Sequence, residues 1–222
     1  MEAAATREML LDAAERTFRD KGVAHTSLAE VAEAAGMTRG AVYWHFRDKA
    51  DLFKALCDRV TLPMEAMLAN AGCLRPDDPL ATVRALAIAG LNRLATDARC
   101  HAVFDLLFHK CEFTSELTSV AARQRATDSG CQVNIERLLM HAVEVGQLPP
   151  DTDARLAATA LNAFVVGLMY QWVQRPSAFD LEHGAPAMID LFLAGMREAP
   201  PRQPPAAPRK RVARRPRTAS AR

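Results

Sequence analysis

The sequence predicts an all-α protein. Apolar residues recur at helical spacing through several long stretches, and no period-two alternation of a half-buried strand appears. Helix-start signals stand before those stretches: Ser27 with Glu30, Thr38, Asp48, and Asp78 with Pro79. The 13 prolines crowd towards the end of the chain and leave long segments free of breakers. At 222 residues and 50% hydrophobic, the chain can form one large or two small domains around a sizeable core.

In chain order, the spacing predicts a first helix over 4–21, with Leu10, Ala14 and Phe18 on one face and Gly22 at its end. Ser27 and Glu30 fit a capping box that opens a short second helix with Leu28, Val31, Ala32 and Ala35 inward. Gly36 stands where a left-handed residue closes such a helix. Thr38 can cap a third helix, 38–46. There Val42 and Phe46 are one turn apart on the inner side, and Arg39 and Tyr43 are one turn apart on the other. Asp48 can cap the next helix.

Two short helices joined by a glycine turn form a helix-turn-helix, in which the second helix enters the major groove and the first braces it across the backbone. Arg39 can donate to a guanine edge, and Gly40 lets the backbone come close. Tyr43, His45 and Lys49 can reach phosphates. An ordinary helical hairpin with surface charges shares the same outline, so the residue pattern of 38–52, TRGAVYWHFRDKADL, carries the decision.

That stretch resembles the TetR family of bacterial transcriptional regulators. The likeness covers residues 5–60: Thr26–Ser27 before the bracing helix, Ala35–Gly36 at the turn, then Gly40, Tyr43, His45, Phe46 and Lys49. The resemblance implies that Thr26 and Ser27 touch phosphate, that Thr38, Arg39 and Gly40 face bases, and that Tyr43, His45 and Lys49 hold the backbone. The expected DNA-facing set is Thr26, Ser27, Thr38, Arg39, Gly40, Tyr43, Trp44, His45 and Lys49.

Beyond the motif, a helix is predicted over 49–71, with Leu52, Leu56 and Val60 on a stripe and a kink or a break at Pro63. The resemblance makes this helix the connection between the two domains. Further helices are predicted over 79–95, 99–110, 114–145, 153–175 and 186–197. No charge falls between Arg155 and Arg175. Thr159, Asn162, Tyr170 and Gln171 interrupt that stretch, so no membrane span is expected. A helix apolar all round has both sides covered, one by its own core and the other by a second subunit. The expected dimer interface is Leu161, Phe164, Leu168, Trp172, Met188, Leu191 and Phe192, on the last two helices. A homodimer also suits a short recognition helix, because two copies on a twofold axis read an inverted repeat.

The segments 38–46, 106–117 and 146–158 are similar to the AcrR and TtgR group of that family, which represses multidrug efflux operons of the resistance–nodulation–division class. The resemblance implies a large apolar effector pocket, with Ile88, Leu91, Phe104, Leu107, Phe108, Val165, Val166 and Met169 as its wall. The implied partners are operator DNA, a small lipophilic effector and a second copy of the chain. Positions 104, 108 and 166 are more polar in some of that group, so this pocket is expected to be more apolar.

Composition narrows the alternatives. The start carries acids and no apolar core, so a cytoplasmic protein is expected. Five cysteines, at 57, 73, 100, 111 and 131, are odd in number and form no CxxC, which suits free thiols. Lys110 beside Cys111 is the one nearby cation that favours a reactive thiolate. Cys100, His101, His109 and Cys111 lack metal-ligand spacing, so no metal or cofactor is expected. No phosphate loop, nucleophile elbow or useful acid pair appears, so no enzyme is expected.

The net charge of +2 conceals an asymmetry. Residues 200–222 hold 8 of the 28 basic residues and no acid, so residues 1–199 carry 20 basic against 26 acidic groups. The sequence therefore divides into a DNA-binding domain (1–50), a ligand and dimer domain (51–199) and a proline- and arginine-rich tail (200–222) expected to be unfolded. Such a tail can add phosphate contacts beside the operator or simply remain solvated. The expected function is a ligand-released repressor of a multidrug efflux operon. A repressor of a metabolic operon, or an effector-free architectural or cell-division protein, are the alternatives.

Overall fold

The computed structural model describes residues 2–71, 75, 77–110 and 117–203. Thr114, Cys73, Cys111 and residues 204–222 of the basic segment lie outside the described residues. The helices are α1 (Glu2–Lys21), α2 (Leu28–Ala34), α3 (Arg39–His45), α4 (Lys49–Ala69), α5 (Pro79–Thr96), α6 (Ala98–Asp105), α7 (Thr118–Glu144), α8 (Ala154–Gln174) and α9 (Leu181–Glu198). The chain leaves α6 through a π-helical turn, Leu106–Lys110. No strand occurs among the described residues.

Helices α1–α3 fold around Leu10, Ala14, Phe18, Val31 and Val42, all fully buried. Phe18 meets Phe53 of α4 edge to face at 5.7 Å, which fastens this head to the rest of the chain. The local signals are realised atom by atom. Ser27 and Glu30 close the capping box, and Gly36 takes φ +66 after α2. Thr38 Oγ1 accepts from Ala41 N at 3.3 Å, Asp48 Oδ1 from Asp51 N at 2.7 Å, and Asp78 Oδ1 from Ala81 N at 3.0 Å.

The head and the larger domain share α4, which is continuous through Pro63. The proline forfeits one backbone bond, and packing of the surrounding turns carries the helix past it. Arg59 on α4 donates to Asp12 at 2.6 Å and to Glu15 at 2.8 Å on α1. Burial pushes the Glu15 carboxyl up more than Arg59 pulls it down. Across α4, Arg123 of α7 donates to Asp58 at 3.0 Å and to Glu65 at 2.8 Å. Helix α5 packs between α7 and α9, and Arg84 forks onto Asp190 of α9, with its Nη2 at 2.8 Å from Oδ2.

Two boundaries depart from the sequence reading. Helix α9 starts at Leu181, five residues before Pro186, because Asp180 Oδ1 accepts from His183 N at 3.0 Å and supplies a cap. The first residues of the expected tail are tied down. Asp153 N donates to the Pro201 carbonyl at 2.7 Å, and Gln203 N to the Asp151 carbonyl at 2.9 Å. Arg202 also pairs with Asp151. Extended backbone beside the α7–α8 connection offers these partners, which composition alone does not reveal.

Candidate nucleic-acid interface and effector wall

Helix α3 presents an exposed polar side. Arg39 Nη2 donates to Tyr43 Oη at 3.3 Å, and its guanidinium lies 5.4 Å from the Tyr43 ring centroid. The spacing of one turn produces this pair and holds both tips outward. Trp44 is the most exposed aromatic of the helix at 73%, and its ring meets His45 edge-on at 4.6 Å. Thr38 and Gly40 are exposed, while Val42 and Phe46 are buried and seat the helix. Beside α3 lies an open trough of about 470 Å³, lined by His25, Thr26, Ser27, Tyr43, Arg47 and Lys49 among others.

The aromatic wall gathers on the end of α6, the π turn and α8. Phe104 and Phe108 lie 5.6 Å apart, and Phe108 meets Tyr170 at 5.6 Å. His109 also lies 5.4 Å from the Tyr170 ring, with its Nδ1 3.2 Å from Asp105 Oδ1. Ile88, Phe104, Leu107, Phe108 and Val165 are half-buried against the core, and Met169 is buried. Two buried polar atoms on the helices that carry Ile88 and Phe104, Asn92 Oδ1 of α5 and His101 Nε2 of α6, have no hydrogen-bond partner. The His101 ring stands edge-on to Trp172 of α8 at 5.4 Å. A second hollow, about 300 Å³, lies on α7 at Arg137, Leu138, Met140, His141 and Glu144, away from this wall.

Two expected wall residues sit elsewhere. Leu91 is fully buried and belongs to the core. Val166 is 40% exposed, because one residue step turns a helix by about 100° and carries it off the Val165–Met169 side. It joins an uncovered stripe on α8 made of Leu156, Ala160, Ala163 and Tyr170. On α9 the matching feature is Leu191, 74% exposed, between Ala187 and Ala194. Of the expected dimer residues, Leu161 is buried in its own chain's core at 2% exposure. Phe164 and Phe192 stack on each other at 5.1 Å, so they join α8 to α9 within one chain. Leu168, Trp172 and Met188 are half-buried. Leu156 and Tyr170 were missed by the sequence reading, although their spacing with Ala163 is that of one helix face.

Comparison with known proteins agrees with this geometry in both halves of the chain. Residues 10–56 match the bacterial regulatory proteins of the tetR family, and residues 78–197 match the C-terminal region of MAATS-type transcriptional repressors. The chain belongs to the TetR family. TtgR of Pseudomonas putida, an HTH-type transcriptional regulator, is 38% identical over 199 residues, covering 90% of this chain and 95% of TtgR. AcrR of Shigella flexneri is 38% identical over 192 residues, 86% of this chain and 89% of AcrR. The structure of native NalD, the secondary repressor of the MexAB-OprM multidrug efflux pump in Pseudomonas aeruginosa, superposes with a TM-score of 0.80 at 35% identity, over 86% of this chain and 97% of NalD. SmeT in complex with triclosan gives 0.78 at 33% identity, over 86% and 91%.

Three residues of the TetR signature have structural duties here. Thr26 is buried, and its hydroxyl donates to the Gly22 carbonyl at 2.8 Å. The side chain therefore locks the turn after α1 instead of facing phosphate. The Ser27 hydroxyl donates to Glu30 Oε2 at 2.8 Å, so its one proton serves the capping box. Lys49 Nζ donates to the Ala24 carbonyl at 2.9 Å and ties the start of α4 to the same turn. Sequence reasoning missed Arg47 and His25, which line the trough; Arg47 has a side chain 86% exposed.

The thiols and histidines fall into separate surroundings. Burial pushes the Cys100 thiol up to about 12 and raises that of Cys131. His101 faces Trp172 and His109 faces Asp105, so the two histidines do not converge. Among the described residues no three His, Cys, Asp or Glu side chains form a metal-holding group.

Proposed function

We propose that this TetR-family chain is a homodimeric repressor of a multidrug efflux operon, released from its operator by lipophilic compounds. The observation that carries the reading is the outward Arg39–Tyr43 pair on a capped, core-seated recognition helix, in a chain 38% identical to TtgR over nearly its whole length. Arg39 reads a base edge in the major groove, and Thr38 and Gly40 allow the helix start to approach it. Tyr43, Trp44, His45 and Arg47 take phosphates around the trough, with Ser27 and Lys49 shaping its rim. The uncovered stripe of α8 with Leu191 of α9 meets its copy in a second chain, which sets two recognition helices on a twofold axis.

The effector enters against Phe104, Leu107, Phe108, Val165 and Met169, where apolar area supplies affinity without demanding one shape. Asn92 and His101 offer it a polar foothold, since each buries an atom that a ligand group can satisfy. Those wall residues pack on the core in this conformation, so entry displaces the π turn; single π turns inside helices are frequent at functional sites. The ligand releases DNA only to the extent that it favours the displaced shape.

The test is a mobility-shift titration on the DNA upstream of the chain's own gene, with and without triclosan and a panel of lipophilic antibiotics. The reading expects a shift at nanomolar to micromolar protein that at least one compound abolishes. A shift indifferent to every apolar compound but sensitive to acyl-CoA favours a metabolic operon instead.

A further inference from the structure

Pro63 leaves α4 one backbone bond short. It has no N–H to donate to the Arg59 carbonyl, and its ring crowds that carbonyl. The gap falls where the two domains meet. Arg59, on the near side of it, holds α1 through Asp12 and Glu15. Glu65, two residues beyond the proline, holds α7 through Arg123, whose Nη2 donates to its two oxygens at 2.8 and 3.1 Å. Sharp bends in helices occur at prolines, so this turn is where the head can swing against the larger domain.

Arg123 bridges that turn. Its Nε donates to Asp58 Oδ1 at 3.0 Å, before the proline, and its Nη2 to Glu65, after it. Its third nitrogen, Nη1, donates to Thr127, and Thr127 Oγ1 donates on to Glu65 Oε1 at 3.0 Å. All three guanidinium nitrogens are engaged, in a planar fork that an ammonium cannot reproduce. Lys54 takes the other Asp58 oxygen at 2.7 Å, so two cations face two carboxylates. The side chains of Asp58, Arg123 and Glu65 are mostly buried, and salt screens them less than a surface pair. At about 100° per residue, Asp58 and Glu65 share one side of α4, and Pro63 stands about 140–160° round from them. The proline, exposed to solvent, forces its own side of the helix open. The guanidinium spans the opposite side and fixes how far.

We propose that Arg123 is a positioning residue: it sets the angle of α4 at Pro63, and thereby the spacing of the two recognition helices in a dimer. Without it the head samples a range of angles. Only the fraction of dimers at the right spacing then binds an inverted repeat, and apparent affinity falls by that fraction. Phosphate contacts of a single head are untouched, because Arg123 lies on α7, outside the head. The mechanical half of the proposal rests on α4 and α7 alone. Its consequence for DNA rests on the dimeric repressor reading.

A double-mutant cycle with Pro63→Ala tests it. That substitution restores the donor to the Arg59 carbonyl and leaves no cavity, since Pro63 is exposed. Hydrogen exchange of the DNA-free protein reads the mechanical half. Arg123→Gln should quicken exchange over residues 58–68 roughly 10-fold, and Pro63→Ala added to it should bring exchange back within about 2-fold of the wild type. Arg123→Lys should rescue little, because one ammonium cannot fork across the turn. Shift titrations on the upstream duplex read the other half. Arg123→Gln should weaken binding roughly 10-fold, tolerate one base pair inserted between the half-sites, and keep its affinity for an unrelated duplex. The double variant should regain the lost operator affinity. Exchange unchanged by Arg123→Gln, or quickened equally in the Pro63→Ala background, overturns the proposal. So does operator binding that Arg123→Gln leaves intact. If Arg123→Gln fails to fold by circular dichroism, Glu65→Ala, which cuts the bridge beyond Pro63 only, takes its place in the cycle. If the wild type binds no upstream duplex, the repressor reading fails, while the exchange cycle still decides whether Arg123 holds α4.

Discussion

Lys110 Nζ donates to the Arg19 carbonyl at 2.6 Å, joining the π turn to the last turn of α1. The backbone makes a second link close by, from Val23 N to the Lys110 carbonyl at 3.5 Å. Two residues earlier on the same turn, Phe108 packs on Tyr170. A compound that lifts the aromatic side of this turn therefore pulls on the head. Coupling between sites needs such a shared element, biased by both. Lys110→Ala should leave DNA affinity without compound little changed and raise the compound concentration for half-release roughly 5-fold, near the lower end of ordinary coupling. Shift titrations at several compound concentrations check this.

Leu191 is 74% exposed at the middle of the α8–α9 outer face. Leu191→Asp places a charge where a second copy is proposed to press, and desolvating it opposes association. Sedimentation should show a monomer, with operator affinity reduced at least roughly 100-fold because one half-site alone is read. An unchanged dimer would move the interface elsewhere.

The Glu30 carboxyl is held at about 2, first by the hydrogen bond from Lys21 and then by those from Ser27. A depressed carboxyl contributes stability that is complete above its unfolded value of about 4.3 and lost as pH falls through the folded value. The stability gap between the wild type and Glu30→Gln should therefore be constant from pH 7 to about 5.5 and close between about 5 and 2. Thermal melts of both proteins across that range measure it. Ser27→Ala should cost about 1 kcal/mol at neutral pH, as other N-cap losses do.

Much of the fold was legible because its signals are local. Asp78 before Pro79 and Ser27 before Glu30 announce helix starts through bonds made within four residues. The facing of α8 was harder. Its composition is apolar on every side, so only tertiary neighbours decide that Leu161 points into the core and Val166 out of it. Thr26 was misplaced for a similar reason: the turn that buries it forms only when α1 and α2 pack. The start of α9 was hidden by Pro186, a residue that usually marks a first turn. The π turn has no sequence signature in these residues at all.

Cys100 has a thiol raised to about 12 by burial in α6. Because the thiolate is the reactive form, alkylation of this residue at pH 8 should be undetectable in the folded protein and appear only with global unfolding. Mass spectrometry after timed iodoacetamide treatment, with and without denaturant, tests this. Rapid native labelling of Cys100 would show that α6 opens locally.

The central claim is that the Arg39–Tyr43 side of α3, duplicated by dimerisation, reads DNA. Footprinting of the upstream region tests it most directly. The account predicts protection of an inverted repeat with half-sites about one helical turn or a multiple apart, and its disappearance with Arg39→Ala while sedimentation still shows a dimer. Protection without twofold symmetry, or a footprint unchanged by Arg39→Ala, would contradict it.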